Sequence, residues 1–247
     1  MTQVIFTERC DYMKVIAAID SFKGSMTSME AGNAVKKGIL AAKPDAEVVV
    51  NPLADGGEGT VDALIEGLGA KKIPVTVTGP LGEKVSCYYG FLEETKSAVM
   101  EMASAAGITL VTKKDPLRAS TYGVGEMIAD ALKRGCKNFM IGIGGSATND
   151  GGVGMLQALG YDFLDKDGNQ IKHGAIGLKD LVQIKDDTAI PELKDCEFHI
   201  ACDVTNPLCG EQGCSVIFGP QKGATEQMIK DMDHWPADYT KIAKESF

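Results

Sequence analysis

The sequence predicts an α/β fold with two α/β domains, and three features of the chain support this prediction. Strand and helix patterns alternate over residues 13–78. Two short strand patterns then follow one another with no helix between them, and the alternation returns from residue 123 onward. A chain of 247 residues is long enough for two small domains or one large one.

The first predicted domain, residues 13–78, follows an N-terminal extension at residues 1–12. Thr27 and Glu30 have the spacing of a capping box, which marks the start of the first helix. Because helical crossovers of this length join parallel strands, a parallel sheet is expected. The predicted strands are 14–19, 47–50 and 72–78, and the predicted helices are 27–42 and 61–68.

The Gly-Pro-Leu-Gly turn at residues 79–82 is the predicted boundary with the second domain, residues 79–247. Closely spaced strands over 84–91 and 97–102 predict an antiparallel hairpin. A last helix is predicted from Thr225, and Pro236 is expected to end or kink it. The elements between them are helices over 123–134 and 152–159 and strands over 138–143, 181–184 and 197–203.

The composition excludes several classes of protein. The formal charge is −9 and no cluster of Lys and Arg occurs, which argues against a nucleic-acid binder. No apolar stretch approaches the roughly 20 residues that span a bilayer. The N-terminal residues lack the features of a signal peptide, so a cytoplasmic protein without a membrane partner is expected. The seven cysteines are scattered without a C-x-x-C motif, which predicts free thiols rather than disulfides or a zinc site.

Polar loops follow the predicted strands, which is where open α/β folds bind ligands. Asp20, Ser21 and Lys23 follow the first strand and offer a carboxylate and an ammonium, either for a metal and a phosphate or as a solvated pair. Residues 54–60, Ala-Asp-Gly-Gly-Glu-Gly-Thr, combine glycines with two carboxylates. These carboxylates fit phosphate binding if Mg²⁺ bridges them to the phosphate, and a tight turn with a helix N-cap is the alternative.

The loop at residues 142–152, Gly-Ile-Gly-Gly-Ser-Ala-Thr-Asn-Asp-Gly-Gly, is the strongest candidate site. Its backbone N–H groups and hydroxyls are the components of an anion site, and Asp150 is a candidate cation ligand. Ala147 stands where a dinucleotide-binding motif needs glycine, and neither a P-loop nor a nucleophile-elbow pattern occurs here. A glycine-rich turn needed only for packing is the alternative.

A fourth candidate region surrounds two more loops. Asp203 and Asn206 lie at the end of the strand predicted over 197–203, and Lys222 shortly precedes the last helix, within reach of an anion bound at its N-terminus. Ordinary proline-braced loops are the alternative. The three histidines lie outside the glycine-rich loops and are interpreted as structural: His173, His199 and His234.

Five segments resemble, in the same order, signature segments of the bacterial class I glycerate kinases. They are 20–23, 54–60, 142–152, 202–208 and 218–224, and the similarity extends over roughly residues 13–232. The resemblance implies a Rossmann-like parallel domain formed by both chain ends, with a mixed-sheet α/β domain inserted into it. Members of the family continue with a further glycine-rich segment and an acidic motif that do not occur after Lys230. The first domain is therefore expected to be incomplete here.

The family phosphorylates D-glycerate with ATP and Mg²⁺, so the resemblance implies this reaction, at the 2- or the 3-hydroxyl, by a glycerate kinase or by a truncated form of one. An inactive relative that binds anions or nucleotide without turnover is the alternative.

The resemblance also implies roles for individual residues. Asp20, Lys23 and Asp203 are expected to be catalytic, with Asp20 or Asp203 accepting the hydroxyl proton. Asp150 and Asp55 are expected to hold Mg²⁺. The residues expected to bind substrate or nucleotide are Ser21, Asp55, Gly56, Gly57, Glu58, Gly59, Thr60, Gly144, Gly145, Ser146, Thr148, Asn149, Asn206 and Lys222.

Overall fold

The computed structural model of the 247-residue chain describes residues 13–20, 22, 25–53, 61, 62, 65 and 69–246. The chain divides into two compact units, residues 1–54 and 55–247. Within the described ranges, none of the helices is both long enough and apolar enough to cross a membrane. The six cysteines in those ranges are free thiols.

In the described part of the first unit, the predicted first two strands and the predicted helix between them are present. Strand β1 (Lys14–Ile19) pairs in parallel with β2 (Glu47–Pro52), and helix α1 (Ser28–Ala42) lies between them in the sequence. The predicted capping box is present, since Thr27 Oγ1 accepts from the Glu30 N–H at 3.2 Å and the Glu30 carboxylate accepts from the Thr27 N–H at 2.8 Å. These two bonds satisfy donors that the start of a helix otherwise leaves free.

Within the described ranges, the second unit contains a five-stranded mixed sheet, in the order β3-β4-β5-β6-β9, and a separate sheet of two antiparallel strands. Strands β3, β4 and β5 are antiparallel neighbours, whereas β5, β6 and β9 are parallel. The hairpin of β4 and β5 is therefore confirmed. The strands are β3 (Lys71–Thr78), β4 (Lys84–Leu92), β5 (Ser97–Glu101), β6 (Asn138–Gly142), β7 (Asp162–Leu164), β8 (Gln183–Lys185) and β9 (Glu197–Ala201).

The pairing of β3 corrects one expectation. The sequence predicts it as a third parallel strand of the first domain, but β3 pairs antiparallel with β4 along its whole length. The turn at residues 79–82 is too short for a crossover, so the two strands it joins form a hairpin. The division between the compact units falls between Ala54 and Asp55 rather than at this turn.

Helices pack on the large sheet around an apolar core. Helix α3 (Tyr122–Lys133) supplies Val124, Met127 and Ile128, which are fully buried with Tyr89 and Phe139 of the sheet. Helix α3 and the later α4 (Val153–Ala158) match the predicted positions. Two short helices were not predicted from the sequence: α2 (Met102–Ala106) and α5 (Cys214–Phe218).

The last helix, α6 (Glu226–Ser246), continues through Pro236, so of the two expected effects of this proline, an end or a kink, the end is wrong. Proline lacks the N–H that would bond the carbonyl four residues earlier, which here belongs to Met232. That carbonyl instead accepts from the Ser215 hydroxyl at 2.8 Å. Further along α6, Trp235, Tyr239 and Ile242 pack against a second apolar cluster that includes residues of β7 and β8.

The strand directions place several loops at one edge of the large sheet. Because β3, β5, β6 and β9 run the same way, their carboxyl ends lie at this edge, which we call the carboxyl edge. The 79–82 turn, helix α2, the glycine-rich loop and the Asp203 loop all leave from it. This is where α/β proteins bind their ligands.

Candidate functional site

The glycine-rich loop after β6 carries free hydrogen-bond donors. The Ile108 N–H donates to the Gly145 carbonyl and the Ala147 N–H donates to the Ala106 carbonyl, each at 2.8 Å, which anchors the loop beside α2. In the described chain, however, the N–H groups of residues 144–146 donate no hydrogen bond, and Gly144 and Gly145 are exposed. Consecutive free amides in a glycine turn suit a phosphate or carboxylate oxygen.

Lys222 lies beneath this loop. Its side chain is buried, and Nζ donates to Ser146 Oγ at 2.9 Å and to the Thr148 carbonyl. Burial lowers the pKa of Lys222, while the Cys214 thiol and the Asp150 carboxylate act in the opposite direction. The ammonium therefore joins the turn at Pro220–Lys222 to the glycine-rich loop and adds positive charge behind its free amides.

Asp150 closes the loop and is almost completely buried, at 1% exposure. Its Oδ2 accepts from the Thr121 N–H at 2.8 Å, from Thr121 Oγ1 at 2.9 Å and from the Gly154 N–H at 3.3 Å. Its Oδ1 accepts from the Gly152 N–H at 3.2 Å. The carboxylate thus ties the loop to the segment before α3, and both of its oxygens accept hydrogen bonds from the protein.

Asn149 contacts the last helix through a serine. Asn149 Nδ2 donates to Ser215 Oγ at 3.0 Å, and Ser215 Oγ donates in turn to the Met232 carbonyl. Ser215 is fully buried. This chain of bonds fixes the position of the loop relative to α5 and α6, and it engages the amide nitrogen of Asn149 within the protein.

The loop after β9 starts beside the glycine-rich loop, because Gly142 of β6 is paired with Ala201 of β9. Asp203 is exposed, and its carboxylate makes no hydrogen bond within the described chain. Asn206 Nδ2 donates to the Gln212 carbonyl at 3.0 Å and so stabilises the loop itself. Of the predicted residues near this edge, Asp203 is the carboxylate that is accessible to a substrate.

The remaining predicted residues are in other positions. Asp20 follows β1 in the first unit and is partly buried. Eight residues with expected roles lie outside the described residues, so the structure says nothing about them: Ser21, Lys23, Asp55, Gly56, Gly57, Glu58, Gly59 and Thr60. Among the residues that are described, no group of three or more His, Cys, Asp or Glu side chains is placed to hold a metal ion.

The sequence reasoning missed a buried carboxylate, Glu101, at the carboxyl end of β5. Its Oε1 accepts from the Val61 N–H at 2.6 Å, and the residue is only 6% exposed. The signal in the sequence was an acidic residue that directly ends an apolar strand, as Asp20 and Asp203 also do.

Comparison with known proteins adds independent evidence to this arrangement. The family model described as the glycerate kinase family matches residues 15–247. The chain belongs to this family. The matched region includes both strands of the first unit and the complete large sheet of the second, so membership of the glycerate kinase family does not depend on the glycine-rich loop alone.

Individual glycerate kinases match the chain closely. It is 48% identical over 236 residues to "Glycerate 2-kinase" of Escherichia coli K12 and 47% identical over 234 residues to "Glycerate kinase" of Haemophilus influenzae. These matches cover 95% and 94% of the chain, but 62% of each relative. A crystal structure provisionally assigned as glycerate kinase 2 from Salmonella typhimurium LT2 matches with a TM-score of 0.88 and 45% identity, covering 95% of this chain and 63% of that one. The chain thus spans less than two thirds of these relatives.

Proposed function

We propose that the chain carries the phosphate-binding part of a glycerate kinase, which transfers a phosphoryl group from ATP to a hydroxyl of D-glycerate. The observation that carries this proposal is the run of free amides at residues 144–146, in the same loop whose Ser146 hydroxyl accepts from the buried ammonium of Lys222. Phosphoryl transfer depends chiefly on positioning and on neutralising phosphate charge, and this arrangement supplies both.

In this proposal the amides of Gly144, Gly145 and Ser146 bind phosphate oxygens of ATP. Lys222 acts from behind the loop, by orienting Ser146 and Thr148 and by making the site electropositive. Such fixed donors are effective because they need no reorganisation during the reaction. Gly145 adopts φ +70°, a backbone conformation that suits glycine and turns the loop towards the solvent.

The acceptor hydroxyl must lose its proton as its oxygen bonds to the γ-phosphorus and the bond to the β–γ bridging oxygen breaks, releasing ADP. We propose Asp203 as the group that accepts this proton, since its carboxylate is accessible at the carboxyl edge. Asp20 stays the second candidate for this role, from the sequence. The name of the Escherichia coli relative favours the 2-hydroxyl as acceptor and hence 2-phosphoglycerate as product.

Kinases use Mg²⁺ to neutralise phosphate charge, and the described residues fit this ion only in part. Asp150 fits poorly as a direct ligand because protein donors surround its oxygens. We propose that Asp150 holds the loop in shape instead. A hydrated Mg²⁺ needs few protein ligands, so one further carboxylate would be enough to hold it. Asp55 stays a candidate ligand of Mg²⁺, as expected from the sequence.

The test measures ADP release from ATP in the presence of Mg²⁺ and D-glycerate. Two proteins are compared: the chain itself and the chain joined to the remaining C-terminal part of the Escherichia coli relative. Phosphorus NMR of the product distinguishes 2- from 3-phosphoglycerate. We expect glycerate-dependent ADP release from at least the joined protein. Failure of both proteins to turn over D-glycerate would overturn the proposal.

Lysine variants of the active protein test the role of the loop. Lys222→Met is expected to lower kcat about 10²–10³-fold, as the loss of one electrostatic group in a preorganised site does. Lys185→Met, at an exposed position of β8, is the matched control and should leave kcat within twofold. Equal activity of the two variants would contradict the proposed site.

A further inference from the structure

A surface pocket of about 250 Å³ lies at the carboxyl edge and shares no residue with the glycine-rich loop. Three chain segments form its walls: the β3–β4 turn at residues 78–82, the segment before and into α3 at residues 118–122, and the loop at residues 172–176. We call this hollow the basic pocket. Its volume is below that of typical sites for drug-sized ligands, so it suits a smaller molecule.

Specific backbone contacts hold these segments together. The Ser120 N–H donates to the Pro80 carbonyl and the Ile176 N–H donates to the Leu117 carbonyl, each at 2.9 Å. A Cβ on Gly174 would lie 2.5 Å from the Leu117 carbonyl oxygen, so glycine is needed for the close approach of the two loops. This approach brings Arg118 and His173 to the same pocket. The pocket is therefore a built feature of the second unit rather than a gap between mobile side chains.

Apart from Tyr122, the ionisable side chains that line the pocket are all basic. Arg118, Lys172 and His173 line the basic pocket, and none of its lining residues is acidic. Across the described ranges of the chain, no carboxylate forms an ion pair with any of these three side chains. A concentration of unpaired basic groups is notable in a chain with a formal charge of −9. Like charges gathered in a hollow repel one another unless an anion is bound among them.

The aromatic ring in the pocket gives it shape. The Tyr122 and His173 rings are stacked with centroids 4.6 Å apart and planes 23° from parallel. The Ser120 hydroxyl accepts from the Tyr122 N–H at 3.2 Å, which fixes the start of α3 against the pocket. The Tyr122 ring therefore fixes the orientation of the His173 imidazole. Arg118 and Lys172 are exposed to solvent and can contact a ligand.

We propose that the basic pocket binds a small phosphate-bearing anion, at a site separate from the glycine-rich loop. A guanidinium offers paired donors that match two phosphate oxygens, and an ammonium adds a point charge. Free inorganic phosphate and a small phosphorylated organic acid share this chemistry, and the experiment below distinguishes them. The proposal does not require the glycerate kinase reaction, because it depends only on the lining of the pocket.

The three histidines of the chain make a direct test possible, since only His173 lines the basic pocket. The imidazole proton resonances of the whole chain are recorded at constant pH and ionic strength during titration with inorganic phosphate. The His173 resonance is identified by its absence from His173→Gln. We expect it to shift in a saturable manner, while the resonances of His199 and His234 stay in place. No shift of the His173 resonance, or an equal shift of all three resonances, would overturn the proposal.

Charge variants show whether the pocket itself is responsible. Arg118→Gln and Lys172→Gln are each expected to weaken phosphate binding at least tenfold, and Lys166→Gln, at an exposed turn position, should change it less than twofold. Unchanged affinity in both pocket variants would refute the assignment. Repeating the titration with 2-phosphoglycerate identifies the source of the anion, because tighter binding than that of phosphate indicates a phosphorylated acid and equal or weaker binding indicates the free ion. ADP release is measured separately, so failure here leaves the proposed function untouched.

Discussion

The Ser215 hydroxyl donates to the carbonyl oxygen of Met232 at 2.8 Å and replaces the hydrogen bond that Pro236 cannot make. The same oxygen of Ser215 accepts from Asn149 in the glycine-rich loop at 3.0 Å. The buried Ser215 side chain therefore stabilises α6 where a backbone hydrogen bond is missing, and it also fixes the glycine-rich loop. A buried Met232 carbonyl without a partner would be costly, so this serine is expected to matter for stability.

Ser215→Ala should lower the free energy of unfolding by about 2 kcal/mol, because it removes both bonds of a buried hydroxyl. Urea unfolding followed by circular dichroism measures this change. Ser246→Ala is the matched control, since its hydroxyl also donates to a helix carbonyl but at an exposed position, and it should have little effect. Pro236→Ala restores the missing N–H and should recover part of the loss in Ser215→Ala. If Pro236→Ala recovers none of the stability lost in Ser215→Ala, the proposed replacement of the missing helix bond by Ser215 is wrong.

Gly145→Ala is expected to affect both stability and function. A residue with a Cβ at φ +70° costs about 1–2 kcal/mol, and the added carbon would lie 3.3 Å from Ala103 Cβ. Gly168→Ala is the control, because Gly168 has φ +79° but open space around it. Both variants should lose similar stability in thermal unfolding, whereas only Gly145→Ala should reduce glycerate-dependent ADP release. Equal activity of both would show that the loop geometry is not needed.

Asp150→Asn should destabilise the protein by about 3 kcal/mol even without Mg²⁺. The variant places an amide where three N–H groups and a hydroxyl now donate, so buried donors would face a donor. Thermal unfolding in the presence of a chelator measures the loss, and the exposed Asp187→Asn serves as control. A stability difference between the wild-type protein and Asp150→Asn that appears only when Mg²⁺ is present would instead identify Asp150 as a metal ligand.

The stability difference between the wild-type chain and Lys222→Met should depend on pH. Burial lowers the pKa of Lys222 in the folded state, whereas the unfolded chain has the ordinary lysine pKa of about 10.4. Between these two pKa values the unfolded state binds the extra proton, so the wild-type chain gains stability relative to the variant as pH rises through that window. The gain is lost as pH falls through the folded pKa. Urea unfolding at several alkaline pH values measures this stability difference, with Lys185→Met as the reference variant. A difference that stays constant or falls as pH rises would contradict a lowered pKa for Lys222.

Local signals in the sequence were sufficient for most of the fold. The capping box at Thr27 and Glu30 and the strand patterns of β1, β5 and β6 depend on neighbouring residues, and the structure confirms them. The pairing of β3 was not predictable in this way, because a strand pattern does not specify its partner. The feature of the sequence that indicates the partner of β3 is the short turn after it, because a turn of this length joins antiparallel strands.

The candidate site shows the same limit. The glycine-rich loop was recognisable because its composition is unusual over a short stretch. The bond between Lys222 and Ser146 joins residues 76 positions apart, and the bond that compensates for Pro236 comes from Ser215, so neither follows from local pattern. Asp150 carries the right chemistry for a metal, but only its surrounding donors show how its oxygens are used. The basic pocket assembles from three distant segments and had no sequence motif.

Strand β9 forms one outer border of the large sheet, and within the described chain no further strand pairs beyond it. Phe198 and Ile200 on this strand are 39% and 54% exposed. An open row of backbone groups beside apolar side chains is a template for self-association. Concentrated solutions of this polypeptide would therefore be prone to precipitate through this border while the rest of the fold is still intact, so a solubilising substitution belongs at Ile200 rather than in the interior.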